Sequence, residues 1–325
     1  MHTRVNRHSS GSLPLTADRG LSEFDHAVIR LLQQNGRRSY RQMALELGAS
    51  EKNVRNTVCR LQDSGLIEIT AVTFPPLLGY RGMANVAVRV QPSRSLREVA
   101  ADLAEVEAVD YLAVTTGSYD LFVDVVCRDR SELLRILDEE IRSVRGVASV
   151  ETFLYLGFPY QGMRGIAPLL APDRQAHEAV SLTETDREIV ANLAEDGRTS
   201  YNVIADRLDI SEAQVRHRLK RLTETGADRI TAIVNPSTLG FDTMAWVGIR
   251  AARTRLAEVS RMLAGLVSST WVATVAGRYE AFAELMCVEE DELVEQLDAI
   301  RASELVAEVD SFVYLDLQYK RLTLS

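Results

Sequence analysis

The chain has 325 residues, of which 46% are hydrophobic and 26% charged, a composition typical of a soluble globular protein with several domains. The first twenty residues lack the apolar core of a secretory signal, and no apolar run reaches the roughly 18–20 residues that cross a bilayer. The three cysteines, Cys59, Cys127 and Cys287, form no metal-ligand pattern. These features predict a cytoplasmic protein with no metal, no cofactor and no membrane partner.

The net charge of −9 is unevenly distributed along the chain. Segment 21–72 carries seven basic and six acidic residues, and segment 182–233 carries eight and ten. The acidic excess is concentrated in segments 73–181 and 234–325. Because a local basic face can contact phosphates on a protein of negative net charge, this composition does not exclude nucleic acid as a partner.

The chain repeats itself at a shift of 161 residues. Sixty residues from Leu21 match sixty residues from Leu182 without a gap, with 23 identities. The match continues further on, where TTGSYDLFVDVVC (115–127) pairs with VAGRYEAFAELMC (275–287). A repeat of this length fixes the architecture, so both copies are predicted to contain the same two units in the same order.

The first unit of each copy has the pattern of a winged helix-turn-helix. In copy one, apolar residues recur at helical spacing over 22–35, and Ser22, Ser39 and Ser50 can each cap a helix. Residues 66–73 then alternate like a strand. Three helices with a tight turn between the last two, followed by a strand, predict a DNA-binding unit in each copy.

The third helix of this unit can be oriented by its periodicity. At about 100° per residue, Val54, Val58 and Leu61 point to the core, and the opposite face is polar. Recognition helices read bases mainly with their N-terminal residues, so the predicted base contacts are Lys52, Asn53, Asn56, Gln214 and His217. The predicted phosphate contacts are Arg55, Arg60, Arg216, Lys220 and Arg221. The alternative is a solvated polar face on an ordinary helix, but the whole pattern occurs twice, which favours DNA binding.

The second unit of each copy has the order βαββαβ, which predicts a ferredoxin-like α+β domain. In copy one the predicted elements cover residues 82–91, 95–106, 109–116, 120–127, 131–144 and about 147–156. The segment between the copies has two prolines and no alternation, so it is predicted to be a linker. The predicted domains are a flexible tail (1–20), winged helix-turn-helix units (21–72 and 182–233), α+β units (73–159 and 234–325) and the linker (160–181).

A tight connection inside the α+β unit is the candidate small-molecule site. Residues 116–120, TGSYD, match residues 276–280, AGRYE. Glycine allows the backbone amides to approach a ligand, and the adjacent carboxylate could hold an ammonium group. The alternative is a plain hairpin turn with a solvated acid.

Taken together, the segments LTETDREIV, EDGRTSY, ISEAQVRHRLKRLTETG and TTGSYDLFVDVV resemble the Lrp/AsnC family of transcription regulators. The resemblance extends from Leu21 to about Tyr319, twice. It implies a DNA-binding domain joined by a strand to an effector and oligomerisation domain, with amino acids or related molecules bound at interfaces between those domains. The hairpin residues that it places at the effector pocket are Thr116, Gly117, Tyr119, Asp120, Gly277, Tyr279 and Glu280.

The chain departs from the family pattern in three ways. A usual member has one copy and dimerises, whereas this chain has two. The family's arginine in the middle of the recognition helix is present as Arg218, a further predicted DNA contact, but is Thr57 in copy one. The hairpin acid is Asp120 in one copy and Glu280 in the other, with Arg278 beside it. We therefore expect an internal pseudodimer, an asymmetric DNA site with half-sites about 34 Å apart, and homo-oligomers of such chains.

The predicted function is a sequence-specific, double-stranded DNA-binding transcription regulator, not an enzyme, that responds to an amino acid-like effector. One alternative is a protein that organises DNA without an effector. Another is an enzyme like the siroheme decarboxylases, which share this architecture and have histidines in the α+β domain. None of this chain's five histidines falls in either α+β unit, and no P-loop, zinc motif or nucleophile elbow occurs.

Overall fold

The computed structural model describes residues 12–13, 21–73, 75–163, 166–170, 182–224, 228–234, 236–252 and 255–319. The predicted tail lies outside these residues except for a short strand, β1 (Ser12–Leu13). Within the described residues, no helix is long and apolar enough to cross a membrane.

Copy one contains the predicted elements in the predicted order. Its first unit consists of α1 (Glu23–Gln34), α2 (Tyr40–Leu47), α3 (Glu51–Asp63) and β2 (Ile67–Thr73). A 3-10 turn (Pro75–Leu78) leads to β3 (Gly82–Val90), α4 (Leu96–Ala104), β4 (Val109–Thr115), β5 (Leu121–Cys127), α5 (Arg130–Arg135) and β6 (Val147–Met163). A π-helical segment (Ile136–Ile141) extends α5, and β7 (Ile166–Leu170) follows β6.

Copy two repeats this order. Its first unit consists of α6 (Glu184–Glu195), α7 (Tyr201–Leu208), α8 (Glu212–Glu224) and β8 (Asp228–Val234). A 3-10 turn (Pro236–Leu239) leads to β9 (Thr243–Ala251), α9 (Leu256–Ala264), β10 (Ser269–Ala276), β11 (Ala281–Cys287), α10 (Glu290–Arg301) and β12 (Val306–Tyr319). The predicted fold class, two helix-turn-helix units alternating with two ferredoxin-like units, is confirmed.

The two helix-turn-helix units share a two-stranded sheet. β2 and β8 pair antiparallel, with Thr70 opposite Thr231. Each strand packs on the first helix of the other copy, β2 on α6 and β8 on α1. The two threonine hydroxyls donate across this junction, Thr70 to the Ala194 carbonyl and Thr231 to the Gln33 carbonyl, both at 2.8 Å. The two helix-turn-helix units, called the reading heads below, are therefore joined through a shared sheet and do not form two separate domains.

The two α+β units close into one barrel. Their four-stranded sheets, β4-β5-β3-β6 and β10-β11-β9-β12, face each other and join edge to edge through β6–β10 and β4–β12. Aromatic residues, including Phe122, Phe153, Phe282 and Phe312, fill the space between the sheets. Helices α4 and α5 cover one outer face and α9 and α10 the other. The two units of one chain thus pair with each other, as the pseudodimer hypothesis requires.

The predicted linker was partly wrong. β6 continues to Met163, well beyond the predicted end near residue 156, and β7 pairs with it over 166–170. The extension has a tertiary cause, because the far end of β6 pairs with β10 of the other copy, Gln161 opposite Trp271. Residues 171–181, the rest of the predicted linker, lie outside the described residues.

Candidate DNA interface and effector site

The recognition helices α3 and α8 present the predicted polar faces. Val54, Val58 and Leu61 are fully buried, as predicted, and Thr57 joins them at 7% exposure. The predicted DNA-contacting residues of copy one are all exposed: Lys52, Asn53, Arg55, Asn56 and Arg60. In copy two a shallow depression opens beside α8, lined by Ala213, Gln214, His217, Arg218 and Arg221.

Three of the predicted DNA-contacting arginines are anchored to a buried acid. Asp186, fully buried, accepts hydrogen bonds from Arg218 at 2.9 Å and from Arg221 at 2.6 Å. In copy one, Asp25 pairs in the same way with Arg60 alone. Each acid also completes the capping box at the start of its first helix. These arginines therefore hold the recognition helix against the first helix, and only the outer parts of their guanidinium groups can reach phosphate.

Hydrogen bonding to these acids shifts their titration. Burial by itself raises the pKa of Asp186, but the Thr183 amide and hydroxyl, together with Arg218 and Arg221, more than offset it, so the net pKa lies below its ordinary value. The carboxylate is thereby kept charged, and a charged acceptor gives the stronger hydrogen bonds.

The two heads offer different base-reading groups. Gln214 uses its side-chain oxygen to accept from the Ser211 amide (2.8 Å) and hydroxyl (3.1 Å), which forms a capping box at the start of α8. Only the amide nitrogen remains for DNA, so the bidentate adenine contact expected of a glutamine would require this box to break. In α3, by contrast, no other described residue holds the side chain of Asn53 or Asn56.

A reciprocal clasp, formed by Arg37 and Arg198, locks the heads together. Arg37 donates to the carbonyl oxygens of Gly197 and Thr199, both at 2.8 Å. Arg198 occupies the equivalent position in copy two, and it donates to the Gly36 carbonyl at 2.9 Å and the Arg38 carbonyl at 2.6 Å. Sequence reasoning saw this Gly-Arg turn as a family feature but missed its role, because each arginine acts on the other copy.

The clasp reaches the recognition helices through two tyrosines. The Tyr201 ring lies between Arg37, 4.2 Å from its centroid, and Arg216 of α8, at 5.3 Å. In the other head, Arg198 stacks on the Tyr40 ring at 4.5 Å and Arg55 of α3 at 5.5 Å. Two of the predicted phosphate-contacting arginines, Arg55 and Arg216, therefore each stack on a tyrosine that also carries an arginine from the opposite head.

The two hairpins of the candidate effector site pack against the opposite copy. Gly117 has a φ of +110°, and a Cβ there would lie 3.2 Å from the Phe312 ring. At Gly277 a Cβ would lie 2.6 Å from the Phe153 ring, closer than real contacts allow. Both hairpins thus need glycine where they meet the other half of the barrel. Thr116 and both glycines are exposed.

The hairpin tyrosines point inward. Tyr119 is 5% exposed and donates its hydroxyl to Glu151. Tyr279 is fully buried and donates to Asp310 at 2.5 Å. Burial, with the hydrogen bond to Glu151, raises the pKa of Tyr119 to about 12, and burial with Asp310 raises the pKa of Tyr279 further. Both phenols therefore stay neutral donors at physiological pH.

The hairpin acids have a backbone role that the sequence did not suggest. Asp120 accepts a hydrogen bond from the Val90 amide at 2.7 Å, and Glu280 accepts one from the Ala251 amide at 2.9 Å. One oxygen of each acid thus secures the end of the neighbouring strand, which leaves fewer acceptor positions for an ammonium group than predicted.

Arg278 distinguishes the two hairpins. Its guanidinium lies 3.5 Å from Asp310 and 3.7 Å from Glu308, and it stacks on the Tyr279 ring. The equivalent residue in copy one is Ser118. The second hairpin therefore carries a cation of its own, whereas the cations near the Tyr119 of the first, Arg89 and Arg278, come from outside that hairpin.

Family models match three parts of the chain. A model described as the Lrp/AsnC ligand-binding domain matches residues 83–164, an AsnC-type helix-turn-helix domain matches 21–62, and a winged helix-turn-helix DNA-binding domain matches 182–227. An HTH-type transcriptional regulator of Pyrococcus abyssi is 37% identical over 133 residues, 41% of this chain and 84% of the relative. Regulatory protein AsnC of Escherichia coli is 26% identical over 149 residues, 46% of this chain and 97% of the relative.

Among solved structures, the siroheme decarboxylase NirDL resembles this chain along most of its length. The TM-score is 0.64 at 18% identity, and the match covers 93% of this chain and 95% of that one. At this identity the likeness concerns the double-length fold alone.

Proposed function

This chain belongs to the Lrp/AsnC family of helix-turn-helix transcription regulators and carries that family's ligand-binding domain, and we propose that it recognises an asymmetric operator as a single interlocked unit. The observation that carries the proposal is the clasp between the heads, since it fixes the distance and angle between two recognition helices of one chain. A site of two half-sites, about 34 Å apart if they lie one helical turn from each other, suits such a unit.

The two half-sites should differ because the two helices differ. Asn53 and Asn56 in α3 can each bond adenine in a bidentate way, and Lys52 can reach guanine. In α8 the side chain best placed to read a base is His217, since the oxygen of Gln214 is engaged by Ser211. Asn56 and His217 are equivalent positions of the repeat. Each is therefore the matched control for the other.

The test is selection of binding sequences from random DNA, followed by affinity measurements at fixed salt. The expected operator has two unlike halves, with Asn56→Ala relaxing the preference in one half and His217→Ala in the other, each by roughly 1–3 kcal/mol. Lys220→Ala, a phosphate-contact control, should weaken all sequences about equally. Selection of perfect palindromes alone would contradict the asymmetry, and uniform coating of DNA in footprints would contradict sequence-specific regulation.

We further propose that a small amino acid-like effector binds at the first hairpin and changes DNA affinity. The absence of an arginine at Ser118 favours this hairpin over the second, where Arg278 already contacts Asp310 and Glu308. The test is a thermal-shift screen with amino acids, because a ligand at 100 times its Kd stabilises the native state by about 2.7 kcal/mol. Asp120→Asn should abolish the shift and Glu280→Gln should keep it. Equal loss in both variants would overturn the assignment to the first hairpin.

A further inference from the structure

One ring of inward-facing residues circles the barrel, and two of its members, Phe153 and Phe312, extend from it to the hairpin glycines. Cross-strand partners place Tyr111, Asp124, Asn85 and Phe153 side by side on one sheet. The equivalent row on the other sheet is Trp271, Glu284, Trp246 and Phe312. The ring therefore carries one acid at the centre of each sheet, and the two acids belong to the same enclosed space.

Both acids are held by neutral donors. Glu284 accepts hydrogen bonds from the hydroxyls of Tyr111 (2.7 Å), Tyr314 (2.8 Å) and Thr270 (2.7 Å). Asp124 accepts from the Tyr155 hydroxyl at 2.5 Å and from the Asn85 amide at 2.8 Å. Among the residues that the structure describes, no basic side chain forms an ion pair with either acid.

Two acids without a counter-cation are costly inside a barrel. Burial raises the pKa of Asp124 to about 6, against the opposing hydrogen bonds of Tyr155 and Asn85, and the charge of Glu284 adds to the rise. Neutral donors cannot cancel the negative charge, so a positive group placed in this space would gain from both carboxylates.

The ring also has unused hydrogen-bonding capacity. Asn85 is 1% exposed, and its side-chain oxygen has no partner among the described residues, although its amide nitrogen is bonded to Asp124. The indole nitrogen of Trp246, which is 2% exposed, likewise has no hydrogen-bond partner among the described residues. A buried acceptor without a donor is costly, and this one belongs to a side chain that is bonded to Asp124.

The ring is not sealed. Asp124, Glu284, Tyr111, Tyr155 and Trp271 each keep part of their surface accessible, whereas Phe153, Phe312 and Trp246 deeper in the barrel do not. The Trp271 ring is flanked by Tyr155 at 5.3 Å and by Trp246 at 4.9 Å, both edge to face. Both acids and three aromatic residues thus keep accessible surface, whereas the Asn85 oxygen is buried beside Asp124.

We propose that this end of the barrel binds a small protonated organic amine, which the Asp124 and Glu284 carboxylates and the Asn85 oxygen accept and the aromatic rings enclose. Ammonium groups donate hydrogen bonds to carboxylate and amide oxygens and are attracted to the faces of tryptophan and tyrosine rings. A metal ion fits less well, since the described residues contain no group of three or more His, Cys, Asp or Glu that could ligate one.

This site is separate from the hairpin, and it stands whether or not the protein regulates transcription. Tyr119 at the hairpin and Asp124 lie on the same chain segment five residues apart, which corresponds to about 16 Å along an extended strand. Variants at Asp120 or Glu280 therefore report on the hairpins, and variants at Asp124 or Glu284 report on the ring.

The two tryptophans of the chain, Trp246 and Trp271, both belong to the ring, so intrinsic fluorescence observes it directly. The probe is n-butylammonium, titrated into the full chain at pH 7.5, with n-butanol as the uncharged control of similar shape. We expect a saturable fluorescence change with the amine alone. Asp124→Asn and Glu284→Gln should each weaken the binding roughly tenfold or more, and Asp120→Asn and Glu280→Gln should leave it unchanged.

Three results would overturn the proposal. These are the absence of a saturable change, an equal response to n-butanol, and loss of binding in the hairpin variants rather than the ring variants. If the ring variants do not fold, the proposal is tested by titration calorimetry of n-butylammonium binding to the unaltered protein at pH 6. Amine binding there should release protons from Asp124, seen as heats that depend on the ionisation enthalpy of the buffer. Buffer-independent heats would count against the site.

Discussion

Equivalent residues of the two copies often have different chemistry. Asn85 and Trp246 occupy the same position of the repeat, as do Ser118 and Arg278, and the site around each pair changes accordingly. The acids Asp124 and Glu284 are both retained at the centre of the barrel, and each accepts from an equivalent tyrosine, Tyr155 or Tyr314, but their other donors differ. Single positions therefore give the two halves of the pseudodimer different chemistry at equivalent sites.

The titration of Asp124 should be visible in the stability of the protein. Its folded pKa of about 6 lies above the ordinary value, so the native state holds the proton more tightly than the unfolded state. The resulting stabilisation is complete below about pH 4 and is lost as the pH rises to about 6, by up to about 3 kcal/mol. Urea unfolding of the wild type and of Asp124→Asn should thus show a steeper decline with pH in the wild type over this range. Equal pH dependence in both proteins would show that Asp124 is not the titrating group.

At the scale of elements, the two reading heads are held together mainly by the strands β2 and β8, which they share. β2 and β8 each complete the hydrophobic core of the opposite head, where Ala232 and Val234 pack with Val28 and Ile29. The arginine clasp then adds hydrogen bonds to carbonyl groups at the turn before the second helix of each head. The reading heads are therefore joined both by a shared sheet and by hydrogen bonds between their turns.

Removing the clasp should loosen the coupling between half-sites. Arg37→Ala with Arg198→Ala leaves four carbonyl groups without their donors and removes one arginine from each tyrosine stack. We expect the affinity for a two-half-site operator to fall toward that of one half-site, with little preference left for one spacing. Mobility-shift measurements on operators with altered spacing test this.

The neighbouring Arg38 provides the control for this experiment. Its side chain pairs with the partly exposed Glu46 of its own head, so Arg38→Ala should leave the spacing preference intact. A clasp variant that keeps the wild-type spacing preference would show that the shared sheet alone orients the heads.

At the scale of the whole molecule, one chain supplies the closed barrel that a usual single-copy family member needs two chains to supply. The edges β4 and β6 of the first α+β unit pair with β12 and β10 of the second, β4 over most of its length and β6 over its second half. Closure also encloses the aromatic core that neither sheet could bury alone.

Separately produced halves should therefore associate. Chains covering residues 1–170 and 171–325 would each expose two strand edges and one apolar sheet face, and we expect them to form a stable one-to-one complex. Light scattering coupled to size exclusion measures this, with the intact chain as the reference for the mass of one closed barrel. Two halves that stay folded and monomeric when mixed would contradict the pseudodimer as the unit of stability.

Much of this architecture was determined by the sequence alone. The caps Ser22, Ser39 and Ser50, the apolar spacing of α3 and the alternation of the strands are local patterns, and the helices and strands began within a residue or two of their predicted positions. The repeat also predicted that the copies would pair. These inferences succeed because capping and periodicity act between residues a few positions apart.

Only the tertiary structure decided which groups meet. The clasp joins residues about 160 positions apart, the far end of β6 is a strand because β10 pairs with it, and Asp124 and Glu284 share a space only once the barrel has closed. In the sequence, Asp124 is one polar residue in an apolar strand, and Gln214 one polar residue on an exposed helix face. The role of Asp124 depends on burial and on partners brought by other strands, which no local pattern encodes. That of Gln214 follows from a local capping box with Ser211.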